Sequence, residues 1–278
     1  IEQCDVTLVT NVAADHLGEY GIVDVPTMAK VKSLVYEAVK PDGLDVVNLD
    51  DSNLSRSFNS SRAFLISLNG GKAIDEHVLS GGLAAWFDGS TMMLGHGGLT
   101  APVMDVADIA IARNGRARYN MSNALNAVAV SWALGAKLDA IRSGLAEFGS
   151  AWNDNPGRGQ LTEVNGVNVL LDFGHNPHGV NAVLEMVNEL KPDGGRLSLS
   201  FAQAGDRDEG ELQELMDVIC RFAPDRLFLR DLPEAYWRGR NPDEMYGLFK
   251  GFMAQAATAP ESLERAPDEV AALDTALN

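Results

Sequence analysis

Apolar positions in this chain come in short runs separated by turn residues, and their spacing switches between strand-like and helix-like periods. Residues 6–10 form an apolar strand run, residues 11–27 a polar loop, residues 28–39 a helical pattern and residues 45–48 a second strand run. A strand–helix–strand order of that kind predicts a parallel pair joined by a right-handed crossover. The next region is more β-like. Runs at 62–68, 83–87 and 91–94 are separated by Asn69-Gly70-Gly71 and Asp88-Gly89, both turn signals. Residues 120–134 read as a helix with Met121, Leu125, Val128 and Trp132 on one face, and 138–148 as a second amphipathic helix.

Residues 149–159 carry Asn153-Asp154-Asn155-Pro156-Gly157 and form the most linker-like stretch, which divides the chain into domains at 1–154 and 155–278. Beyond it, runs at 160–164 and 167–171 flank Asn165-Gly166, a strong hairpin signal. Helix, strand, helix, strand and helix follow at 177–190, 196–201, 210–222, 226–229 and 242–254, with another helix starting near Pro267. The alternation predicts an α/β protein whose second half is a small Rossmann-like domain.

Composition adds limits. The 278 residues are 46% apolar and 22% charged, enough for two packed cores. A net charge of −17 makes nucleic acid and anionic membranes poor partners. Cys4 and Cys220 lack metal-ligand spacing, so neither a zinc site nor a disulfide framework is expected, and a reducing cytoplasm fits best. No run reaches the roughly 18 apolar residues of a membrane span.

The richest stretch for chemistry is Asp172-Phe173-Gly174-His175-Asn176-Pro177-His178-Gly179, which turns from the apolar run 167–171 into a helix opening at Pro177. A strand that ends in polar residues and feeds a helix N-terminus is where open α/β sheets hold nucleotides. There Asp172 can accept from a ribose hydroxyl and His175 can reach a phosphate or base edge. The bland reading is a polar turn with Pro at the first helical position.

Other candidates keep a plain alternative beside them. Asp15 and His16 follow the first strand and can hold Mg²⁺ directly or through water, or be a helix cap and a surface histidine. Lys32 can bury its stem and react as a neutral amine, or snorkel at the surface as Lys30 does. Asn120 and Asn123, about one helical turn apart, can read an adenine edge, or Asn120 can cap the helix. Arg158 at the domain junction can clamp phosphate or ribose, or be a solvated linker residue. Acids in Gly205-Asp206-Arg207-Asp208-Glu209 can cap the next helix, and Trp237-Arg238-Gly239-Arg240 offers two guanidiniums after the strand run at 226–229. The loops after residues 171, 201 and 229 are expected to converge at one sheet edge, where doubly wound sheets bind ligands.

Taken in order, these segments resemble the Mur ligase superfamily, and within it the Mur-like half of the cyanophycin synthetase family. Asn11-Val12-Ala13-Ala14-Asp15-His16-Leu17-Gly18 is similar to the family's Asn-x-x-x-Asp-His-Leu-Gly segment. Lys32 aligns with the lysine many members carbamylate, Val47-Asn48-Leu49-Asp50-Asp51 with an Asn-Ala-Asp-Asp strand end, and Asn120-Met121-Ser122-Asn123-Ala124-Leu125 with the adenine-binding helix. Pro156-Gly157-Arg158 and Asp172-Phe173-Gly174-His175-Asn176-Pro177 resemble the opening and nucleotide turn of the C-terminal domain. Gly205-Asp206-Arg207 and Arg238-Gly239-Arg240 resemble segments of the cyanophycin branch.

The resemblance implies ATP-dependent amide-bond formation with Mg²⁺. It puts His16 and carbamylated Lys32 on the metal, with Arg207 beside them in catalysis, and Asn120, Asn123, Arg158, Asp172 and His175 on the nucleotide. Asp206, Arg238 and Arg240 fall on the amine side. Arginine is the implied amine and an aspartate-bearing peptide the acceptor, and a homo-oligomer is compatible. The family's phosphate loop has no counterpart: Gly71-Lys72-Ala73 lacks the glycine spacing and the hydroxyl. The chain therefore reads as a fragment of a longer ligase, starting after the phosphate loop and ending before the last strand, and inactive by itself. A Mur-type ligase for another amine, or a non-catalytic assembly domain, are the competing readings.

Overall fold

The computed structural model describes residues 3–278 except 15–16, 56–57 and 150. The chain divides into two compact units, Ile1–Asp154 and Asn155–Asn278.

Unit 1 is built on a six-stranded sheet: β1 (Cys4–Val9), β2 (Val39–Asn48), β3 (Ala63–Ser67), β4 (Leu83–Asp88), β5 (Thr91–His96) and β6 (Leu99–Asp105), side by side in chain order. The first four strands are parallel, and β4–β5–β6 is an antiparallel meander. Parallel strands need crossovers, supplied by α1 (Val25–Ser33) and α2 (Lys72–Leu79). Right-handed crossovers that all advance in one direction place their helices on one face. Met28 and Ala29 of α1 and Ile74 and Val78 of α2 accordingly share a core with Val47, Leu65 and Ala84. The opposite face, with Val46, Phe64, Ile66 and Ala85, is covered by α3 (Arg118–Ala133) and α4 (Leu138–Glu147). Burial on both faces explains why β3 reads Ala-Phe-Leu-Ile without alternation.

Several expectations shift. The helix expected at 28–39 starts at Val25, behind an Asp24 cap that accepts from Thr27 N, and tightens into a 3₁₀ turn at Leu34–Ala38. Asn69-Gly70-Gly71 is not a hairpin turn. It leads into α2, whose apolar stripe is only Ile74 and Val78, too short to register in a β-like neighbourhood. β6 was not expected either, because its first four residues are exposed and carry no alternation.

Unit 2 opens with the hairpin β7 (Gln160–Val164) and β8 (Val167–Leu171). Asn165 and Gly166 both have positive φ, 52° and 79°, as the two-residue turn requires. A parallel three-stranded sheet follows, ordered β11 (Leu263–Ala266), β10 (Arg226–Arg230), β9 (Ser198–Phe201). Helices α5 (Pro177–Leu190), α6 (Glu209–Arg221) and α7 (Pro242–Gln255) pack around Leu227, Leu229 and Phe249. Ala272 of α8 (Glu269–Leu277) meets Phe228 and Ala266 in a second, smaller core. β11, Leu-Glu-Arg-Ala, was missed because half of it is charged. Contrary to expectation, β8 does not join this sheet; among the described residues it pairs with β7 alone. Among the described residues no helix is long and apolar enough to cross a membrane.

Candidate functional site

In unit 1 the carboxyl ends of β1, β2 and β3 are tied by the residues that leave β2. Asn48 Nδ2 donates to Thr10 O (2.9 Å), and Asp51 Oδ2 accepts from Val12 N (2.6 Å). Asp51 Oδ1 also takes the amide of Asn53, whose side chain donates to Val12 O. Asp50 accepts from Ser67 Oγ (2.8 Å) and Leu68 N (2.6 Å). Both carboxylates of the Asn-Leu-Asp-Asp segment are thus hydrogen-bonded within the fold, and they fix the path of residues 10–12. Behind them Tyr36 donates to Val46 O (3.3 Å), and burial pushes its phenol up to about 12, so it remains a donor near neutral pH.

The segment held in this way leads to Asp15 and His16, which lie outside the described residues. Lys32, in the last turn of α1, is exposed, so the buried stem considered from the sequence is not what the fold provides. Among the described residues no three His, Cys, Asp or Glu side chains are grouped to hold a metal ion.

On α3 the two asparagines divide their work. Asn120 is buried; its Nδ2 donates to Ile111 O (3.1 Å) and its Oδ1 accepts from Asn123 Nδ2 (3.2 Å). It is not the helix cap, a position held by Ala117. Asn123 is exposed at the rim of a cavity of about 320 Å³, whose wall is mostly apolar, with Ile111, Val128, Ile141, Leu145 and Phe148, and carries one hydroxyl, that of Ser131. An apolar slot with a single carboxamide at its edge suits a flat heteroaromatic ring that presents a donor and an acceptor.

Unit 2 collects most of the remaining candidates. Asp172 accepts from Gly159 N and Gly174 N, both at 2.7 Å, which pins the entry to β7 against the turn after β8. A carboxylate has about four acceptor sites, so two engagements leave room for a hydroxyl. Phe173 is 62% exposed and has two ring or guanidinium neighbours: Arg158 lies 4.8 Å from its centroid, and the His175 ring 5.5 Å away on a tilted plane. Asn176 caps α5 by accepting from Gly179 N (2.8 Å), with Pro177 at the first helical position.

The turn after β8 meets the loop after β9 through buried Gln203, whose Nε2 donates to His175 O (3.0 Å). The loop after β9 meets the loop after β10 even more closely. Gly205 N donates to Tyr236 O (3.2 Å), and a Cβ on Gly205 would stand 1.9 Å from Trp237 O and under 3 Å from the backbone of Arg240. The three loops expected to converge do so, though one of them leaves a strand outside the parallel sheet.

Arg240 Nη1 donates to Gly205 O (2.8 Å) and Arg207 O (2.7 Å), so this guanidinium is committed to the loops themselves. Arg238 is exposed, pairs with Asp206 (3.2 Å) and lies over the Tyr236 ring at 5.8 Å. Arg207 is only 17% exposed and sits 3.8 Å from Glu211. Sequence reasoning missed Arg265. Its guanidinium grips Asp231 at 2.8 and 2.9 Å and Asp243 at 2.5 Å, and these two carboxylates hold it still more firmly protonated. No motif marked it, because its partners lie 34 and 22 residues away.

Gly205 gives a direct test of the loop contact. Gly205→Ala is expected to lower the stability of unit 2 by about 2–3 kcal/mol, since the clash is with backbone that no rotamer change relieves. Gly247→Ala, in an open position on α7, gains about 0.5–1 kcal/mol instead. Urea denaturation of both variants checks the pair, and equal midpoints would contradict the contact.

Residues 1–131 match the Mur ligase middle domain and residues 157–278 the glutamate ligase domain of Mur ligases. The chain is 30% identical over 280 residues to a cyanophycin synthetase of Geminocystis herdmanii, an alignment covering 99% of this chain and 31% of that protein. It is 28% identical to a UDP-N-acetylmuramoyl-L-alanyl-D-glutamate–2,6-diaminopimelate ligase of Chlamydia pneumoniae, over 78% of this chain and 42% of the relative. Among solved structures, the fold is shared with a Mycobacterium tuberculosis folylpolyglutamate synthase complexed with ADP and AMPPCP. That likeness has a TM-score of 0.62 at 16% identity and covers 98% of this chain and 56% of the other. The chain thus spans about a third of the length of the cyanophycin synthetases it matches. With consecutive middle and C-terminal domains of one family along its length, this chain belongs to the Mur ligase superfamily.

Proposed function

We propose that this chain is the Mur-type portion of an ATP-dependent amide ligase that joins arginine to aspartate side chains of a growing peptide. The observation that carries the nucleotide half is the apolar cavity rimmed by Asn123, its carboxamide held by buried Asn120. The arginine half rests on the sequence likeness to cyanophycin synthetases and on an exposed Asp206 beside the Tyr236 ring, a pairing that already accommodates one guanidinium, that of Arg238.

In this reading the acceptor carboxylate attacks the γ-phosphorus of ATP, the bond to the β-phosphate bridging oxygen breaks, and ADP leaves. The arginine amine then adds to the acyl carbon, loses a proton and expels phosphate. Asn123 is assigned to the base, Asp172 to a ribose hydroxyl, and Arg158 and His175, both near Phe173, to the nucleotide. Arg207 lies close to the reacting groups, while Asp206 and Arg238 face the amine. Lys32, as its carbamate, and His16 are assigned to Mg²⁺, which when bound neutralises phosphate charge.

The test is ADP release by the protein at the full length of its coding sequence, given ATP, Mg²⁺ and an aspartate-bearing peptide, with and without arginine. Arginine-dependent release with a mass gain of one arginine supports the reading. Release that depends on another amine moves the chain to a different Mur-type reaction, and no release from folded protein points to an assembly role. Asn123→Ala should weaken ATP binding by about 1–3 kcal/mol; calorimetry showing unchanged affinity removes Asn123 from the base.

A further inference from the structure

Of the two arginines in Arg238-Gly239-Arg240, only one faces the solvent as a ligand-facing group would. We infer that Arg240 is a positioning residue, one that acts through the backbone on either side of Asp206 to set that carboxylate, and that it does not itself touch the amine. The inference rests on the amine-side reading of Asp206 given above.

A single nitrogen, Nη1 of Arg240, donates to the carbonyls of both Gly205 and Arg207, the residues flanking Asp206. Its Nη2 lies 3.5 Å from Glu209 at the start of α6. Holding the carbonyl of the residue before Asp206 and that of the residue after it spans the intervening backbone and restricts how Asp206 projects from the exposed tip of the loop. The backbone that carries the guanidinium is itself held in place, because Arg240 N donates to Trp237 O (2.9 Å) and Gly205 packs directly against the Trp237–Arg240 backbone. The far end of the same loop is anchored by Arg265, through Asp231 in the loop and Asp243 at the start of α7. The loop carrying Tyr236 and Arg238 is thereby fastened at both ends. Lysine cannot replace Arg240, since an ammonium on a flexible stem does not offer the same planar, fixed set of donors.

The frame is tested first in the 278-residue chain by amide hydrogen exchange. Arg240→Ala and Arg240→Lys are expected to raise exchange at least tenfold in residues 203–209 while β10 and α5 stay as protected as before. Arg265→Ala should act on residues 231–236, and Arg238→Ala, which removes an exposed ion pair to the Asp206 side chain but no bond to the 203–209 backbone, should leave exchange there unchanged. In the full-length ligase, Arg240→Lys should raise the KM for the amine at least tenfold and leave the KM for ATP within twofold.

Unchanged exchange at 203–209 overturns the inference, as does a rise spread over all of unit 2, or a parallel rise of both KM values. If the full-length protein forms no amide at all, the ligase reading fails while the exchange result still decides whether Arg240 sets the loop.

Discussion

Lys32→Ala in the full-length ligase should reduce kcat by a hundredfold or more, about 2.7 kcal/mol of lost transition-state stabilisation. In the proposed reading the reason is charge inversion. Carbamylation joins the neutral amine to CO₂, forms an N–C bond, releases a proton and turns a cation into a carboxylate able to face a metal ion. Exposure of Lys32 on α1 gives CO₂ access and makes the substitution mild for the fold. Small carboxylates such as acetate or formate should restore part of the rate in the alanine variant, because they return the missing oxygens. Lys30→Ala, also exposed on the same helix, supplies the control and should turn over normally. If Lys32→Ala keeps more than half of the parental rate, the carbamate assignment is wrong.

A second large effect is expected far from that lysine. Asp45 on β2 is 1% exposed, and one of its oxygens accepts from Thr7 Oγ1 across the β1–β2 register. The other has no hydrogen-bond donor among the described residues and lies 3.6 Å from Arg62 Nη2. Asp45 sits in the low-dielectric interior, with the 28% exposed Arg62 side chain beside it, and removing the arginine strands the buried carboxylate. Arg62→Leu should therefore cost unit 1 about 3 kcal/mol, the lower end of the range for broken buried pairs because Arg62 is partly solvated. The double variant Asp45→Asn with Arg62→Leu should recover part of that loss, since no charge is then left buried. Chemical denaturation followed through the exchange of β2 amides measures both. A loss below 1 kcal/mol in the single variant would mean that water reaches Asp45.

The α/β class and the hairpin at Asn165-Gly166 were legible because their signals are local: a period, a turn dipeptide, a proline at a helix start. α5 runs Pro177–Leu190, the span its periodicity predicts. What escaped was carried by partners distant in sequence. β11 is a strand because β10 offers it a parallel edge, not because Leu-Glu-Arg-Ala favours strand. α2 hides behind Asn-Gly-Gly, a turn signal that here ends one strand and starts a crossover helix. The same holds for the candidate site. Asp206, Arg207, Arg238 and Arg240 could be picked out by residue type, but the division between a displayed guanidinium and a structural one depends on which carbonyls lie within reach. Gln203 and Arg265 gave no local sign, and their importance is visible only where loops from different strands meet.

Strand order in both sheets follows chain order, from β1 to β6 in one and from β9 to β11 in the other. Every hydrogen-bonded neighbour is therefore also the neighbour in synthesis. No strand waits for a distant partner to be made, and no late segment has to be threaded between two that are already paired. Loop-closure entropy is kept low at each addition, the condition under which β-rich chains assemble fastest. Each of these two sheets can grow one strand at a time as the polypeptide leaves the ribosome, always adding at the edge formed by the strand most recently made.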